Sequence, residues 1–267
     1  MRDALIIISR MKIEKFFPSA ELTPFIKEFL FIETDLEAES KTIPDTSMVM
    51  AFRYMGNVQK MEEERKEALP ASAIAGIRKS ARLFYYSKET ANLLVIFKEG
   101  GFNFFSGIPA HELFGQQVSS ENLFPSTELN EVLERLAEAS TNRNRIDIIQ
   151  AFLLRKLSNG KPDQLIGNAI QLIKQHSGIV RIKNLAASLH ISQDPFEKRF
   201  RTVVGSTPKQ YASIIRLRNL ITKYSLFPSL TDASYEAGYF DQSHFIKDFR
   251  LFTGQAPKDF FKSPQYW

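Results

Sequence analysis

One pattern constrains this chain more than any other. A short apolar helix, a tight turn and a longer helix with two phenylalanines four residues apart occur twice between Ile182 and Gly254. In the first copy Leu185, Ala186 and Leu189 give the leading helix an apolar face with a small residue at its centre, and His190-Ile191-Ser192 makes the turn. Phe196 and Phe200 then fall on one side of the following helix. Ser192 is expected to cap that helix by accepting a bond from the backbone N–H groups of its first turn. Pro195 falls third, inside the first turn, where its missing N–H costs little. In the second copy Leu230–Ala237 leads, Gly238 makes the turn, Asp241 caps, and Phe245 and Phe249 take the core positions. A helix from Pro208 to Tyr224 joins the copies.

Two short helices joined by a turn occur in many folds, but two copies on one rigid spacer are a doubled helix-turn-helix design. Its second helices can enter successive major grooves of a duplex, about 34 Å apart. Charge agrees with this. Residues 164–267 hold 14 Lys and Arg against 7 Asp and Glu, whereas residues 1–163 hold 21 against 23. A basic third beside a near-neutral remainder suggests a nucleic-acid module joined to something else; a merely basic surface is the alternative. The length of 267 residues favours roughly two domains. The polar, turn-forming run Ser158-Asn159-Gly160-Lys161-Pro162-Asp163 marks the boundary. The expected division is 1–158, a linker at 159–163, and 164–267.

The expected fold class is α+β. Residues 45–106 read mostly as strands: Met48–Tyr54, Ser72–Ile77, Arg82–Tyr86, Asn92–Lys98 and Phe102–Phe105, punctuated by Gly56, Gly76 and Gly100-Gly101. Short strands with turn signals between them predict a small antiparallel barrel or sandwich. The charged run Lys60–Lys66 predicts a solvated loop or hairpin tip. Helices are expected from Glu128 to Ala139 and over 144–157. Ile146, Ile149, Leu153 and Leu157 form a stripe on the second, to dock on the barrel or on a second copy of the chain. Seven helices then fill the C-terminal all-α part.

Residues 164–262 resemble the DNA-binding domain of the AraC/XylS transcription regulators. The most specific stretch is Ala237-Gly238-Tyr239-Phe240-Asp241-Gln242-Ser243-His244-Phe245-Ile246-Lys247-Asp248-Phe249-Arg250, followed by Gly254 and Pro257. The first motif matches through Leu185-Ala186, Ser192, Phe196, Phe200, Gly205, Pro208, Tyr211 and Arg216. Ala233, Ser234 and Leu220 depart from the family's usual residues at packing positions, and Asp194 and Glu197 do so on the first recognition helix. The resemblance implies a DNA-binding transcription regulator with double-stranded DNA as partner. It also implies an N-terminal part that binds an effector, dimerises, or both, and RNA polymerase as a further candidate partner. It implies more backbone holding than base reading from the second motif.

The outward residues of the two helices can be assigned chemistry directly. In the first motif these are Gln193, Asp194, Glu197, Lys198 and Arg201. Lys198 can reach guanine or a phosphate, Glu197 can accept from cytosine N4 but repels phosphate, and Arg201 suits a backbone clamp. In the second they are Gln242, Ser243, His244 and Lys247. Gln242 can pair bidentately with adenine, while Ser243 and Lys247 suit phosphates. A solvated helix face is the alternative for each residue alone.

The N-terminal part offers less. Leu93–Ala110 and Ile43-Pro44-Asp45 resemble segments of the barrel in some family members. Arg53, Tyr54, Arg78, Tyr85 and Tyr86 could line a pocket for an anionic or aromatic effector, although core filling by the 23 Phe and 8 Tyr is the preferred reading. The effector itself is unknown. No cysteine is present, which removes disulfides and thiolate chemistry. With His111 the only histidine before residue 164, no metal site is expected, and His111 reads as a surface or capping residue. No phosphate loop, nucleophile elbow or dinucleotide fingerprint occurs, so neither an enzyme nor a cofactor is expected. A β-barrel small-molecule binding protein or enzyme with an accessory helical domain is the alternative. Leu5–Ile8 is too short for a signal-peptide core and no run reaches a membrane span, so no membrane partner and a cytoplasmic location are expected. Met11 offers an alternative start.

Overall fold

The computed structural model describes residues 11–62, 65–227 and 229–262; the stretch Leu5–Ile8 lies outside them. The strands are β1 (Lys12–Phe16), β2 (Ile26–Thr34), β3 (Ala38–Thr42), β4 (Val49–Met55), β5 (Val58–Glu62), β6 (Arg65–Ala68), β7 (Ser72–Ala75), β8 (Arg82–Tyr86), β9 (Thr90–Phe97) and β10 (Gln117–Ser119). They form a six-stranded sheet in the order β1-β2-β9-β4-β7-β10 and a four-stranded sheet in the order β3-β8-β5-β6. All the pairings are antiparallel. Of the charged run Lys60–Lys66, the described residues pair across β5 and β6, Lys60 with Glu67, Met61 with Lys66 and Glu62 with Arg65.

Strand period decides what each face of the large sheet meets. On β9, Leu93, Val95 and Phe97 are fully buried and belong to the cluster that the helices complete. Asn92, Leu94 and Ile96 alternate with them and face the space between the sheets. On β4 the same rule sends Phe52 against Phe152 of the second helix, ring centroids 6.0 Å apart. The helices are α1 (Ser126–Glu138) and α2 (Asn142–Lys156). The α2 stripe of Ile146, Ile149 and Leu153 is buried within the chain, which answers the sequence alternative in favour of docking on the sheet.

No strand is expected from sequence over Lys12–Thr42, where the structure has three. β1 and β3 carry Lys and Glu instead of an apolar alternation, as outermost strands of the two sheets. β2 has a run of four buried residues, Phe29–Ile32, that period alone does not separate from a helix. Phe102–Phe105 also differs from expectation: Gly101–Phe104 is a 3-10 turn. It starts at Gly100, whose φ is +76°, and a Cβ on Gly101 would meet the Phe25 carbonyl oxygen. The two glycines turn the chain before a strand can form.

Seven helices follow: α3 (Gln164–Gln175), α4 (Ile182–Ser188), α5 (Gln193–Val204), α6 (Pro208–Lys223), α7 (Leu230–Glu236), α8 (Gln242–Thr253) and α9 (Pro257–Lys262). Local signals set their ends. Thr207 and Gln210 form a reciprocal capping box ahead of Pro208. Gly205 ends α5 with φ +93°, a left-handed conformation that strains a side-chain-bearing residue, and a Cβ there would sit tightly, 3.1 Å from the Ala110 carbonyl oxygen. Asp241 accepts from the His244 N–H at 2.7 Å, as expected. Ser192 does not cap: no side-chain bond is made there. Pro195 is the third residue of α5, so the N–H that such a cap ordinarily engages does not exist. Asp241→Ala is therefore expected to cost about 1 kcal/mol, and Ser192→Ala clearly less. Urea unfolding of the two variants checks this, and equal midpoints would contradict the assignment.

The helical part is docked on the strands. One buried cluster runs from Leu22 through Phe152 and Phe196 to Phe260. Glu99, just after β9, accepts from Lys174 Nζ at 2.7 Å, Tyr211 Oη at 2.9 Å and Thr46 Oγ1 at 3.0 Å. Asn103 Nδ2 donates to the Val203 carbonyl at 2.7 Å. At the expected linker, Ser158 binds the Phe104 carbonyl, and Asp163 both caps α3 and pairs with Arg199.

Candidate nucleic-acid interface and ligand cavity

The two motifs anchor their second helices by aromatic packing. Phe196 and Phe200 are fully buried, 5.8 Å apart, and Phe200 sits 5.6 Å from Tyr211 of α6. Phe245 and Phe249 repeat this at 5.5 Å, and Phe249 also packs on Phe260 and Phe261. The opposite faces are open to solvent. Gln193, Asp194, Lys198 and Arg201 are exposed on α5, and Gln242, Ser243, His244 and Lys247 on α8. Glu197 is half-buried and accepts from Gln193 Nε2 at 2.8 Å, so these two residues restrain each other. His244 lies 3.7 Å from Asp248.

Asp248 belongs to a network that residue chemistry did not single out. It accepts from Tyr239 Oη at 3.2 Å and lies 3.8 Å from Arg216 of α6, whose guanidinium covers the Tyr239 ring at 4.2 Å. Burial first, and then the Asp248 carboxylate, push the Tyr239 phenol up. The network ties α8 to the helix that joins the motifs. Phe240, also passed over, is 96% exposed just before the Asp241 cap.

Between the sheets lies a cavity of about 750 Å³, within the size range of small-molecule sites. Of the five residues that could line a pocket, with core filling the preferred reading, Arg53, Arg78 and Tyr86 do line it. Tyr54 and Tyr85 point the other way, as their strand neighbours require. Tyr54 donates to Glu33 under Arg145, and Tyr85 lies beneath Lys66. Arg218, Ile221 and Thr222 of α6 also line it. The sequence carried no signal for this, because those residues are more than a hundred positions from the strands they face. His111 is half-buried in the 3-10 turn Ala110–Leu113, which packs against α5; it is neither a surface residue nor a cap. Among the described residues no group of three or more His, Cys, Asp or Glu could hold a metal ion, and no helix is long and apolar enough to cross a membrane.

A family profile described as a helix-turn-helix domain matches residues 185–263, which covers the first motif from Leu185 onward, α6 and the second motif. This is an AraC/XylS-type helix-turn-helix domain. Residues 14–119, most of the strand region, match a domain of unknown function (DUF6597). The Msm operon regulatory protein of Streptococcus mutans serotype c is 26% identical over 160 residues, which is 58% of this chain and 56% of that protein. The match thus spans little more than half of that relative's length. Two structures of ToxT from Vibrio cholerae are similar to this chain at 12% identity. One covers 88% of this chain and 97% of its own with a TM-score of 0.47; the other covers 97% and 98% with a TM-score of 0.45. Within the AraC/XylS-type domain the unusual Ala233, Ser234 and Leu220 are all buried, so they do act through helix packing.

Proposed function

We propose that this protein is a sequence-specific DNA-binding transcription regulator. Its α5 and α8 enter successive major grooves, and the cavity in its strand region holds a small-molecule effector. The division into a regulatory part over 1–158, a linker at 159–163 and a DNA-binding part over 164–267 belongs to this reading. So do a second copy of the chain and RNA polymerase as further partners. One observation carries it: both recognition helices bury their phenylalanine pairs and leave the opposite polar faces exposed. Lys198, Arg201, Ser243 and Lys247 then hold the duplex backbone, and Gln193 and Gln242 read bases. Asp194 and Glu197 disfavour phosphate and suit cytosine. His244 is tied to Asp248 and positions the start of α8. Phe240 supplies an apolar surface for a thymine methyl.

The test is DNA binding by the full chain as a function of salt and sequence. Binding is expected to weaken steeply with salt, because each phosphate contact releases counterions. Lys247→Ala should weaken all sequences alike and lower the log–log salt slope by about 1. Gln242→Ala should relax one base pair, with a loss of about 1–3 kcal/mol of discrimination. Genomic footprinting with no preferred site would defeat the reading. The second reading, a small-molecule carrier with an accessory helical part, draws on the cavity alone. It predicts ligand binding with no change in DNA affinity.

A further inference from the structure

The first recognition helix carries a negative charge that its own helix does not balance. On α5 the buried side is Phe196, Phe200 and Val204. Gln193, Glu197 and Arg201 stand four residues apart and so form one column down the flank of that side. Of the two acids on the helix, Asp194 lies in the first turn, where the helix dipole favours a negative charge. Glu197 lies almost a turn further on, where that support fades. It is half-buried, whereas Gln193, Lys198 and Arg201 around it are exposed. Among the described residues no Lys or Arg forms an ion pair with it. Arg199 turns instead to Asp163, with Nη2 donating to Oδ1 at 3.0 Å. The Glu197 carboxylate is held by a neutral group: Gln193 Nε2 donates to Oε1 at 2.8 Å.

A carboxylate on a helix that faces DNA is repelled by the phosphates, so it weakens binding unless a donor meets it. The Gln193 bond engages Oε1 and keeps the side chain from swinging away, which leaves Oε2 to be met from the groove. Only cytosine N4 and adenine N6 are donors on the base edges of the major groove. Adenine sets its N7 acceptor beside N6, and that lone pair opposes a carboxylate. Guanine offers acceptors alone, N7 and O6, and thymine offers O4 and a methyl group. Cytosine presents a donor with no acceptor of its own beside it. Gln193 takes part in reading through Glu197, because one of its two amide N–H groups is already engaged there.

We propose that Glu197 selects cytosine at one position of the groove that α5 enters, and that Gln193 is its positioning residue. The pair acts chiefly by exclusion: the fixed carboxylate rejects the other three bases more than it tightens binding to cytosine. This rests on the DNA reading above and is independent of the cavity.

The experiment is selection of binding sites by the full chain from a pool of randomised duplexes. Affinities are then measured for the selected duplex and its single-base variants. One position is expected to enrich cytosine, with each other base there binding roughly 5- to 150-fold more weakly. Glu197→Gln removes the charge and supplies the amide that pairs with adenine, so the preference there should move from cytosine to adenine. Gln193→Ala should flatten the same position and leave the others intact, a pattern that a loosened helix would not give. Gln193→Lys, which offers Glu197 an ion pair at the same spacing, should restore the cytosine. All three changes lie off the buried side of α5, and circular dichroism checks that each variant is folded. Unchanged preferences in Glu197→Gln would overturn the reader. A shift in Glu197→Gln beside an undiminished cytosine preference in Gln193→Ala would overturn the positioning role. A selection that enriches no sequence would defeat the regulator reading itself, whereas an enriched site with no position sensitive to Glu197 sinks this inference alone.

Discussion

Phe200→Ala is expected to cost about 3–5 kcal/mol, the range for deleting a fully buried phenylalanine side chain. At this size that lowers the melting temperature by roughly 6–20 °C. The side chain is 0% exposed and packs between Phe196 and Tyr211. It joins the recognition helix α5 to α6, and Tyr211 on the same helix holds Glu99. The cavity left behind loosens the helix that carries Lys198 and Arg201, so DNA affinity should fall with stability even though no proposed DNA contact is touched. Thermal unfolding and DNA binding measured on the same preparation check this. A variant that melts within a degree of the wild type would show that the aromatic layer does not hold the motif.

Removing Glu99 should have the second-largest effect. Its side chain is 15% exposed and gathers donors from α3, α6 and the loop before β4. Glu99→Ala leaves the buried Tyr211 hydroxyl without that acceptor, which costs about 1.5–3 kcal/mol. The same contact predicts a pH effect. Burial by itself raises the Glu99 carboxyl, but the Lys174 charge and the surrounding donors outweigh it and hold the group below its usual value of 4.5. A carboxyl lowered on folding stabilises the native state above its unfolded value, and that stability is lost as pH falls through the folded value. Wild-type protein should therefore lose stability below about pH 4.5 more steeply than Glu99→Gln, which has no charge to lose. Urea unfolding at pH 7 and pH 4 measures the difference, and parallel losses in the two proteins would remove Glu99 from the account. The helical part should loosen from the strands over the same interval.

The parts of this molecule that could be read in advance are those determined by neighbours in the chain. Asp241 caps α8 through a bond three residues away, Gly205 ends α5 because its φ is left-handed, and the phenylalanine pairs mark a buried side at helical spacing. Arg82–Tyr86 was legible as a strand to the residue. Signals failed where two local rules met, as at Ser192, whose capping partner is a proline, or where glycines turned an aromatic run at Phe102. Tyr54 and Tyr85, pocket candidates in the sequence beside the preferred core reading, lie outside the cavity, because which of two alternating faces is inside depends on what covers the sheet.

The order of residues by itself determined a doubled helix-turn-helix unit with two polar helix faces, since helix ends, turns and apolar stripes depend on contacts within a few positions. Tertiary structure alone decided that Lys174, Tyr211 and Arg218 close onto the strands, and that a helix residue, Arg218, lines the same cavity as Arg78 and Arg82. Those groups are brought together by the packing of a helix on a distant sheet, and no spacing along the chain encodes that distance.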